Sequence, residues 1–187
     1  MAWGLGLGII IDGNLYYGKS GFSGEFGHFC MFENEVLCHC GKKGCLETEA
    51  SGSAFHRILM ERYREGSNTI LAGELDSGEE ISLGDLLEAV RKEDVLCIDI
   101  LEKMGVNLGK GIAGLMNIFN PELVILGGTL SLAGEYISLP VKSAIRKYSL
   151  NLVNQDTEIK ISKLGERAGA FGACLLSRSK LLGMIHY

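Results

Sequence analysis

The sequence predicts an α/β domain in which strands and helices alternate after an opening β-hairpin. Asp12-Gly13, a two-residue turn signal, separates two apolar runs near the start of the chain. Several later segments repeat apolar residues every three or four positions, as amphipathic helices do. A short aliphatic run at residues 123–126 ends in two glycines, as a buried strand would. Strands followed by helices are typical of α/β domains, and no internal repeat or second domain interrupts the pattern over residues 1–187.

Composition limits the kinds of protein that this chain can be. With 187 residues, 47% hydrophobic and 22% charged, it is long enough and apolar enough to fold around a core. Its 26 glycines are about twice the usual share, which indicates many tight turns and close backbone approaches. The net charge of −5 argues against DNA binding by this chain alone, because DNA-binding domains carry a basic surface.

Targeting signals and cysteine usage point to one compartment. No apolar run approaches the roughly 18 residues of a membrane span, and no charged-then-apolar signal peptide is present. The chain has six cysteines. Without a secretory signal they fit a reducing cytoplasm, where clustered cysteines bind metal more often than they form disulfides. We therefore expect a cytoplasmic protein.

The first third of the chain is predicted to form strands and one helix. Alternating glycines at residues 4–8 lead into a strand that ends at Asp12, and residues 15–17 return as its partner. Residues 26–32 alternate enough to predict a third strand. Residues 47–65 carry an apolar series with helical spacing and predict one helix.

The remaining two thirds are predicted to be mainly helical. Residues 66–80 are polar and predict an exposed connection. Ser82, with an acidic residue three positions later, predicts the start of a short helix to about Lys92. Further elements are a long helix at 93–119, a fully buried strand at 123–126, a helix at 133–148, a strand at 158–162 and a helix at 167–182. The long helix contains Gly105, Gly109, Gly111 and Gly114, whose cost we expect close packing against a sheet or a ligand to offset.

The segment from Glu25 to Glu47 carries the strongest chemical signal. Three cysteines and one upstream histidine have the spacing of a four-ligand site, and thiolate and imidazole ligands favour Zn²⁺. The predicted metal ligands are His28, Cys38, Cys40 and Cys45. A site with four protein ligands is usually closed and structural. The alternative is a loop of reduced cysteines, or a disulfide in an oxidised preparation.

The other cysteines and histidines give weaker signals. Cys30 is predicted to pack in a strand, and Cys97 and Cys174 to lie in the core. His39 is predicted to point outward between two ligand cysteines. His56 and His186 carry no signal beyond that of a surface or satisfied core histidine.

Glu25 and Glu47 flank the cysteine segment closely. A carboxylate can accept hydrogen bonds from two adjacent hydroxyls, as a sugar presents them, and a metal-bound neutral histidine keeps its second ring nitrogen for another contact. We therefore predict a polyol site formed by Glu25, His28 and Glu47. The alternative is that the two glutamates are ordinary solvated acids.

Two glycine pairs are candidate nucleotide contacts. Gly4 and Gly6, in a run of alternating glycines, could cradle a phosphate with backbone amides or simply form a packing surface. Gly127 and Gly128 could seat an adenosine after the buried strand or only close a turn. Neither pattern separates these alternatives.

Residues 24–28 (GEFGH) together with residues 38–47 (CHCGKKGCLE) resemble the ROK family of repressors, open reading frames and kinases. The resemblance extends along essentially the whole chain, through Ile11-Asp12-Gly13, Asn120-Pro121-Glu122, Gly127-Gly128, Ala168-Gly169 and Gly172-Ala173. It implies the carboxyl-terminal lobe of an actin-like, ribonuclease-H-like fold with an inserted zinc loop. It also implies zinc at His28, Cys38, Cys40 and Cys45, and sugar contacts from Glu25, His28 and Glu47.

Two departures from the family's kinases favour its regulators. Family kinases carry a Gly-Thr-Gly phosphate loop where this chain has Ala2-Trp3-Gly4, so indole replaces the hydroxyl expected near ATP. The family's catalytic aspartate belongs to an amino-terminal lobe that residues 1–187 do not include. The leading hypothesis is therefore the sugar-sensing domain of a transcriptional regulator of the N-acetylglucosamine or xylose repressor type. DNA contact would come only from an amino-terminal module that we expect to precede Trp3.

Two other functions remain open. One is the carboxyl lobe of a sugar kinase that uses ATP and Mg²⁺. The other is a half-domain for oligomerisation, and the resemblance itself implies dimers or tetramers. The sequence does not identify the sugar, because glucose, mannose, xylose and N-acetylated hexosamines all present hydroxyls to the same three side chains.

Overall fold

A computed structural model describes residues 1–183 of the protein. Within that range the helices are α1 (Glu47–Ala50), α2 (Gly52–Arg64), α3 (Ala72–Ser77), α4 (Leu83–Arg91), α5 (Val95–Phe119), α6 (Glu135–Tyr148), α7 (Asn151–Asp156) and α8 (Ala168–Leu181). The strands are β1 (Ile10–Ile11), β2 (Asn14–Leu15), β3 (Leu123–Leu126) and β4 (Glu158–Ile161). Short 3₁₀ turns lie at Phe26–His28, Thr129–Ala133 and Gly165–Arg167.

The opening hairpin forms at the predicted turn. β1 and β2 pair antiparallel, and Asp12 and Gly13 both have positive φ angles, 51° and 76°, as a tight hairpin turn requires. The glycine-alternating residues 4–8 are not part of a strand in the described chain. Leu7 instead donates its N–H to the carbonyl of Gly24 at 3.0 Å, which places this segment beside the loop that precedes His28.

The core is built around the long helix α5, which packs along α6 and against the cysteine loop. A Cβ on Gly109 would lie 2.6 Å from the carbonyl oxygen of Val141 in α6. A Cβ on Gly111 would lie 2.8 Å from the ring of Phe26 and 2.9 Å from a methyl of Leu46. These glycines therefore allow close packing, but against a helix and a loop instead of the sheet or ligand that we expected.

The structure divides the predicted helix 47–65 into α1 and α2. Ser51 lies between them with extended backbone angles, φ −117° and ψ 171°, and its hydroxyl accepts a hydrogen bond from the Ala54 N–H. A serine in this conformation is a favourable helix N-cap, so a new helix begins after it. The separate turn α1 begins at Glu47.

The predicted start of α4 is confirmed. The side chain of Ser82 accepts from the Asp85 N–H while the Asp85 carboxylate accepts from the Ser82 N–H, so α4 begins with a reciprocal capping box. The long predicted helix starts two residues later than expected, because Asp94 caps it by accepting the Cys97 N–H at 2.8 Å. Cys97 is buried, as predicted.

Two predicted segments differ from the structure, and one helix was not predicted. Residues 26–32 form a 3₁₀ turn followed by a single bridge between Cys30 and Cys45, because the chain must turn there to bring His28 beside the cysteines. Residues 66–80 contain α3. No element was predicted where α7 forms.

The buried strand and the last helix also differ from expectation. β3 is predicted to be fully buried, yet Leu123 and Ile125 are 40% and 60% exposed. In residues 1–183, β3 pairs only with the parallel strand β4, and the face of β3 that carries Leu123 and Ile125 is open to solvent. α8 has no buried residue, and Cys174 within it is exposed instead of in the core. His186 lies outside the described residues.

Membrane insertion has no support in the described helices. Across residues 1–183, none combines the length and the apolar character that a bilayer crossing would require.

Candidate functional site

The four predicted metal ligands converge in the folded chain. One ligand atom from each of His28, Cys38, Cys40 and Cys45 lies within 4.8 Å of the others. The Sγ atoms of Cys40 and Cys45 are 3.6 Å apart, and Nδ1 of His28 lies 3.5 Å from Sγ of Cys38. Ideal tetrahedral zinc, with bonds of about 2.3 Å to sulfur and 2.0 Å to nitrogen, requires edges of about 3.8 Å and 3.5 Å. The residues therefore fit a tetrahedral thiolate–imidazole site.

Local backbone structure brings these ligands together. Gly41 and Gly44 have φ angles of +83° and +77°, which other residues adopt only with strain. The Gly41 N–H donates to the carbonyl of Cys38 at 2.9 Å, and the Cys38 N–H donates to the carbonyl of Lys42 at 2.8 Å. The resulting tight turn folds Cys40 back toward Cys45.

The thiols have unequal proton affinities. A hydrogen bond from the Lys42 backbone lowers the pKa of Cys40. Burial, reinforced by the neighbouring thiols of Cys40 and Cys38, raises the pKa of Cys45 to about 12. A bound divalent cation would favour the thiolate form of all three cysteines and offset the repulsion between them. Thiolate and imidazole donors suit Zn²⁺.

Glu47 is a buried carboxylate beside this loop. It is 6% exposed, and its Oε2 accepts the backbone N–H of Leu5 at 2.8 Å. A Cβ on Gly4 would lie 2.9 Å from Oε2 and a Cβ on Gly27 would lie 3.2 Å from it. The two glycines therefore leave room for the carboxylate. Gly4, a predicted phosphate contact, thus lies against a carboxylate in the folded chain. A buried acid with backbone hydrogen bonding is the kind of group that can receive ligand hydroxyls.

Glu25 and His28 lie on the other side of the same site. Nδ1 of His28 faces Cys38, while Nε2 faces Oε2 of Glu25 at 3.8 Å. Glu25 is 60% exposed and His28 is 26% exposed, so both are accessible from solvent. Nitrogen and carboxylate atoms of His28, His39 and Glu47 also lie within 4.8 Å of one another. His28 therefore lies close to both Glu25 and Glu47, the two glutamates that are predicted to contact a polyol with it.

His39 is the residue whose role sequence reasoning missed. It points outward, as predicted, with 73% of its side chain exposed, yet its Nδ1 lies 2.9 Å from Oε1 of Glu47. Its position between Cys38 and Cys40 was the available signal, since a tight turn between two ligands projects the intervening side chain near the same site.

The glycines that were predicted to contact a nucleotide lie in two different environments, and Met1 is next to one of them. A Cβ on Gly128 would lie 2.3 Å from the carbonyl oxygen of Met1, whereas a Cβ on Gly6 would meet no atom within 4 Å. The carbonyls of Ala2 and Trp3 accept the N–H groups of residues 52 and 53 at 2.7 and 3.1 Å, at the start of α2. These two N–H groups at the start of α2 are therefore already hydrogen-bonded.

Comparison with known proteins finds both sugar kinases and sugar-responsive repressors. The chain is 35% identical over 170 residues to a glucokinase of Halalkalibacterium halodurans, covering 90% of the chain and 52% of the relative. It is 33% identical over 188 residues to a xylose repressor of Caldicellulosiruptor bescii, covering 98% of the chain and 46% of the relative. The chain therefore spans about half the length of the curated relatives it matches.

A solved structure gives the same result. The ROK family glucokinase from Streptomyces griseus, in complex with glucose and AMPPNP, superimposes with a TM-score of 0.83 at 31% identity, over 96% of this chain and 59% of that one. This likeness supports the sugar-kinase-like fold of the actin-like superfamily. The model of the ROK family matches residues 1–180. The chain belongs to the ROK family.

Proposed function

We propose that this chain is the sugar-binding domain of a ROK-type transcriptional regulator, with a monosaccharide or amino sugar as its effector. The observation that carries the proposal is the buried carboxylate of Glu47, held by the Leu5 N–H beside His28 and a four-ligand cysteine cluster. Burying a carboxylate is costly unless its hydrogen-bonding capacity is used. Sugar hydroxyls are donors of the right kind and spacing.

Each residue of the site has a separate role in this proposal. Glu47 and Glu25 accept hydrogen bonds from hydroxyls on the ring of the sugar. His28 directs Nε2 toward the same space while Nδ1 faces the cysteines. His28, Cys38, Cys40 and Cys45 would hold a structural Zn²⁺, which fixes the loop and the orientation of the imidazole.

Signalling would require the sugar to bind two conformations unequally. A ligand shifts an equilibrium only by its difference in affinity for the two states. We propose that sugar bound here favours closure against an amino-terminal lobe, which changes the geometry of a DNA-binding module. The chain's own net charge of −5 supports a DNA contact located outside residues 1–187.

A sugar kinase is the second candidate, supported by the 35% identity to a glucokinase. Under this alternative, Gly4, Gly6, Gly127 and Gly128 would approach ATP and Mg²⁺. Trp3 argues against it, since its indole lies edge-on to His56 with ring centroids 6.2 Å apart and offers no hydroxyl to a phosphate. The catalytic base would also have to come from outside residues 1–187.

One experiment separates the two functions. The complete gene product, loaded with zinc, is titrated calorimetrically with a panel of aldohexoses, xylose and N-acetylhexosamines, and ADP release is measured with ATP and Mg²⁺. The regulator predicts saturable binding of at least one sugar, no turnover, and a sugar-dependent change in DNA affinity. Turnover at ordinary enzymatic rates, of order 1–10³ per second, would assign the protein to the kinases. Absence of binding to every sugar would contradict both.

A further inference from the structure

His39 makes a contact that its exposure alone would not suggest. Its side chain is 73% exposed, whereas that of Glu47 is 8% exposed, yet Nδ1 of His39 lies 2.9 Å from Oε1 of Glu47. The other oxygen of Glu47 accepts the backbone N–H of Leu5. Each oxygen of the buried carboxylate therefore has one close nitrogen partner, and Oε1 also lies 3.9 Å from Sγ of Cys38.

We infer that His39 is a positioning residue for Glu47 and forms one side of the sugar site, an inference that rests on the proposed sugar-binding function. A carboxylate has about four lone-pair sites. Leu5 and His39 use one on each oxygen, and Sγ of Cys38 approaches Oε1 at 3.9 Å, which leaves at least one site on Oε2 for a ligand hydroxyl. The two partners thus fix the plane of the carboxylate and direct its remaining sites toward adjacent hydroxyls.

The surroundings of His39 hold its ring in place for this role. Its ring meets that of His28 edge-on, with centroids 5.1 Å apart and an interplanar angle of 73°. Nδ1 also lies 3.9 Å from Sγ of Cys38. Because His39 follows Cys38 in the tight turn of the loop, the geometry of the loop determines the position of the imidazole. One ligand atom from each of His28, His39 and Glu47 lies within 4.8 Å of the others, so the two imidazoles border the carboxylate.

Three substitutions separate a positioning role from a general effect on the loop. His39→Asn keeps an N–H donor near the position of Nδ1, His39→Gln moves the amide to the position of Nε2, and His39→Ala removes both. Each is tested in the complete, zinc-loaded gene product by calorimetric titration with the sugar that the wild type binds. Zinc content and the melting temperature are measured in parallel.

We expect His39→Ala and His39→Gln to weaken sugar binding about tenfold, the effect of losing one hydrogen bond to a charged group. His39→Asn should stay within about threefold of wild type, with zinc content unchanged in all three. In a Glu47→Gln background, His39→Ala should add less than about twofold, because coupled residues are not additive.

Several outcomes would overturn the inference. If the wild type binds sugar and His39→Ala binds it equally well, His39 does not position Glu47. If His39→Asn and His39→Gln change sugar affinity equally, the position of the N–H donor does not matter. The same conclusion holds if the variants that lose affinity also lose zinc, because the substitution then disturbs the whole loop. If the wild type binds no sugar, the proposed function fails first. The His39–Glu47 contact is then still measurable from the imidazole ¹⁵N shifts of His39, which Glu47→Gln should change.

Discussion

The backbone N–H of Leu5 donates a 2.8 Å hydrogen bond to Oε2 of Glu47, 42 residues further along the chain. This bond ties the glycine-alternating segment to the first turn of α1. It also orients the carboxylate before any ligand arrives, so less ordering remains to be done on binding. The orientation of the carboxylate toward a ligand would therefore depend on the backbone as well as on the side chains.

The first prediction concerns the charge of Glu47. Glu47→Gln keeps the size of the side chain but removes its charge, so sugar affinity should fall by at least about tenfold. Glu33→Gln, at an exposed position near the same loop, is the matched control and should leave affinity unchanged. Calorimetric titration of the complete gene product measures both. Equal affinities in the two variants would remove Glu47 from the site.

The second prediction concerns the metal ligands. Cys40→Ser should reduce bound zinc well below one equivalent after dialysis against a chelator, and sugar affinity should fall with it by about 10- to 100-fold. Cys40 is exposed, so the substitution creates no core cavity. Cys174→Ser, also exposed but outside the cluster, should retain zinc and affinity. Elemental analysis and calorimetry provide the two measurements. Full sugar affinity in zinc-free protein would refute a positioning role for the metal.

The third prediction uses two glycines of α5. A Cβ on Gly109 would meet the backbone of Val141 at 2.6 Å and Ala144 at 2.7 Å, whereas one on Gly114 would meet nothing within 4 Å. Gly109→Ala should lower the free energy of unfolding by about 1–3 kcal/mol through overpacking. Gly114→Ala should raise it by up to about 1 kcal/mol, the difference in helix propensity. Urea unfolding measures the free energy of unfolding of both variants. Equal changes in the two variants would show that α5 and α6 can move apart at little cost.

The fourth prediction concerns pH and Asp94. Burial opposes ionisation of Asp94, but hydrogen bonds from the N–H groups of Cys97 and Ile70 and from the Thr69 hydroxyl outweigh it, so the pKa of Asp94 is lowered. A lowered folded-state pKa stabilises the fold above the unfolded value of about 3.9, and this stabilisation is lost as pH falls through the folded-state pKa.

Asp94→Asn should therefore cost about 1–2 kcal/mol of unfolding free energy at pH 7, because the amide keeps one oxygen for the Cys97 N–H but no longer accepts the Ile70 N–H. The difference from wild type should shrink below about pH 4 as the native carboxylate becomes protonated. Urea unfolding across this range provides the measurement. Asp99→Asn, in the next turn of α5 with a 52% exposed side chain, is the control and should cost little at any pH. A pH-independent cost for Asp94→Asn would contradict the assignment.

Short-range patterns were predicted well. The capping box of Ser82 and Asp85, the hairpin turn at Asp12 and Gly13, and the end of α5 before Pro121 all lie where the sequence places them. Each depends on hydrogen bonds or backbone angles within a few residues. Such interactions do not need the rest of the fold, so a local pattern is sufficient evidence for them.

The gathering of the metal ligands was also predictable, because spacing in one loop limits where the thiols can lie. The residues that contact Glu47 beside that loop were not predictable. Nothing in the sequence pairs Leu5 with Glu47, and the position of His39 between two ligand cysteines did not identify Glu47 as its partner. These contacts arise when segments far apart in sequence meet at close range.

Residue types and spacing were enough to establish the α/β class, the four candidate metal ligands and the two flanking glutamates. The three-dimensional structure decided which of these groups share one site, and it did so through close backbone approaches. Gly4 and Gly27 admit the carboxylate of Glu47, and Ser51 ends α1 so that this turn can be oriented separately from α2. Side-chain chemistry is local, whereas burial and contact depend on how distant segments pack, and only the folded chain contains that information.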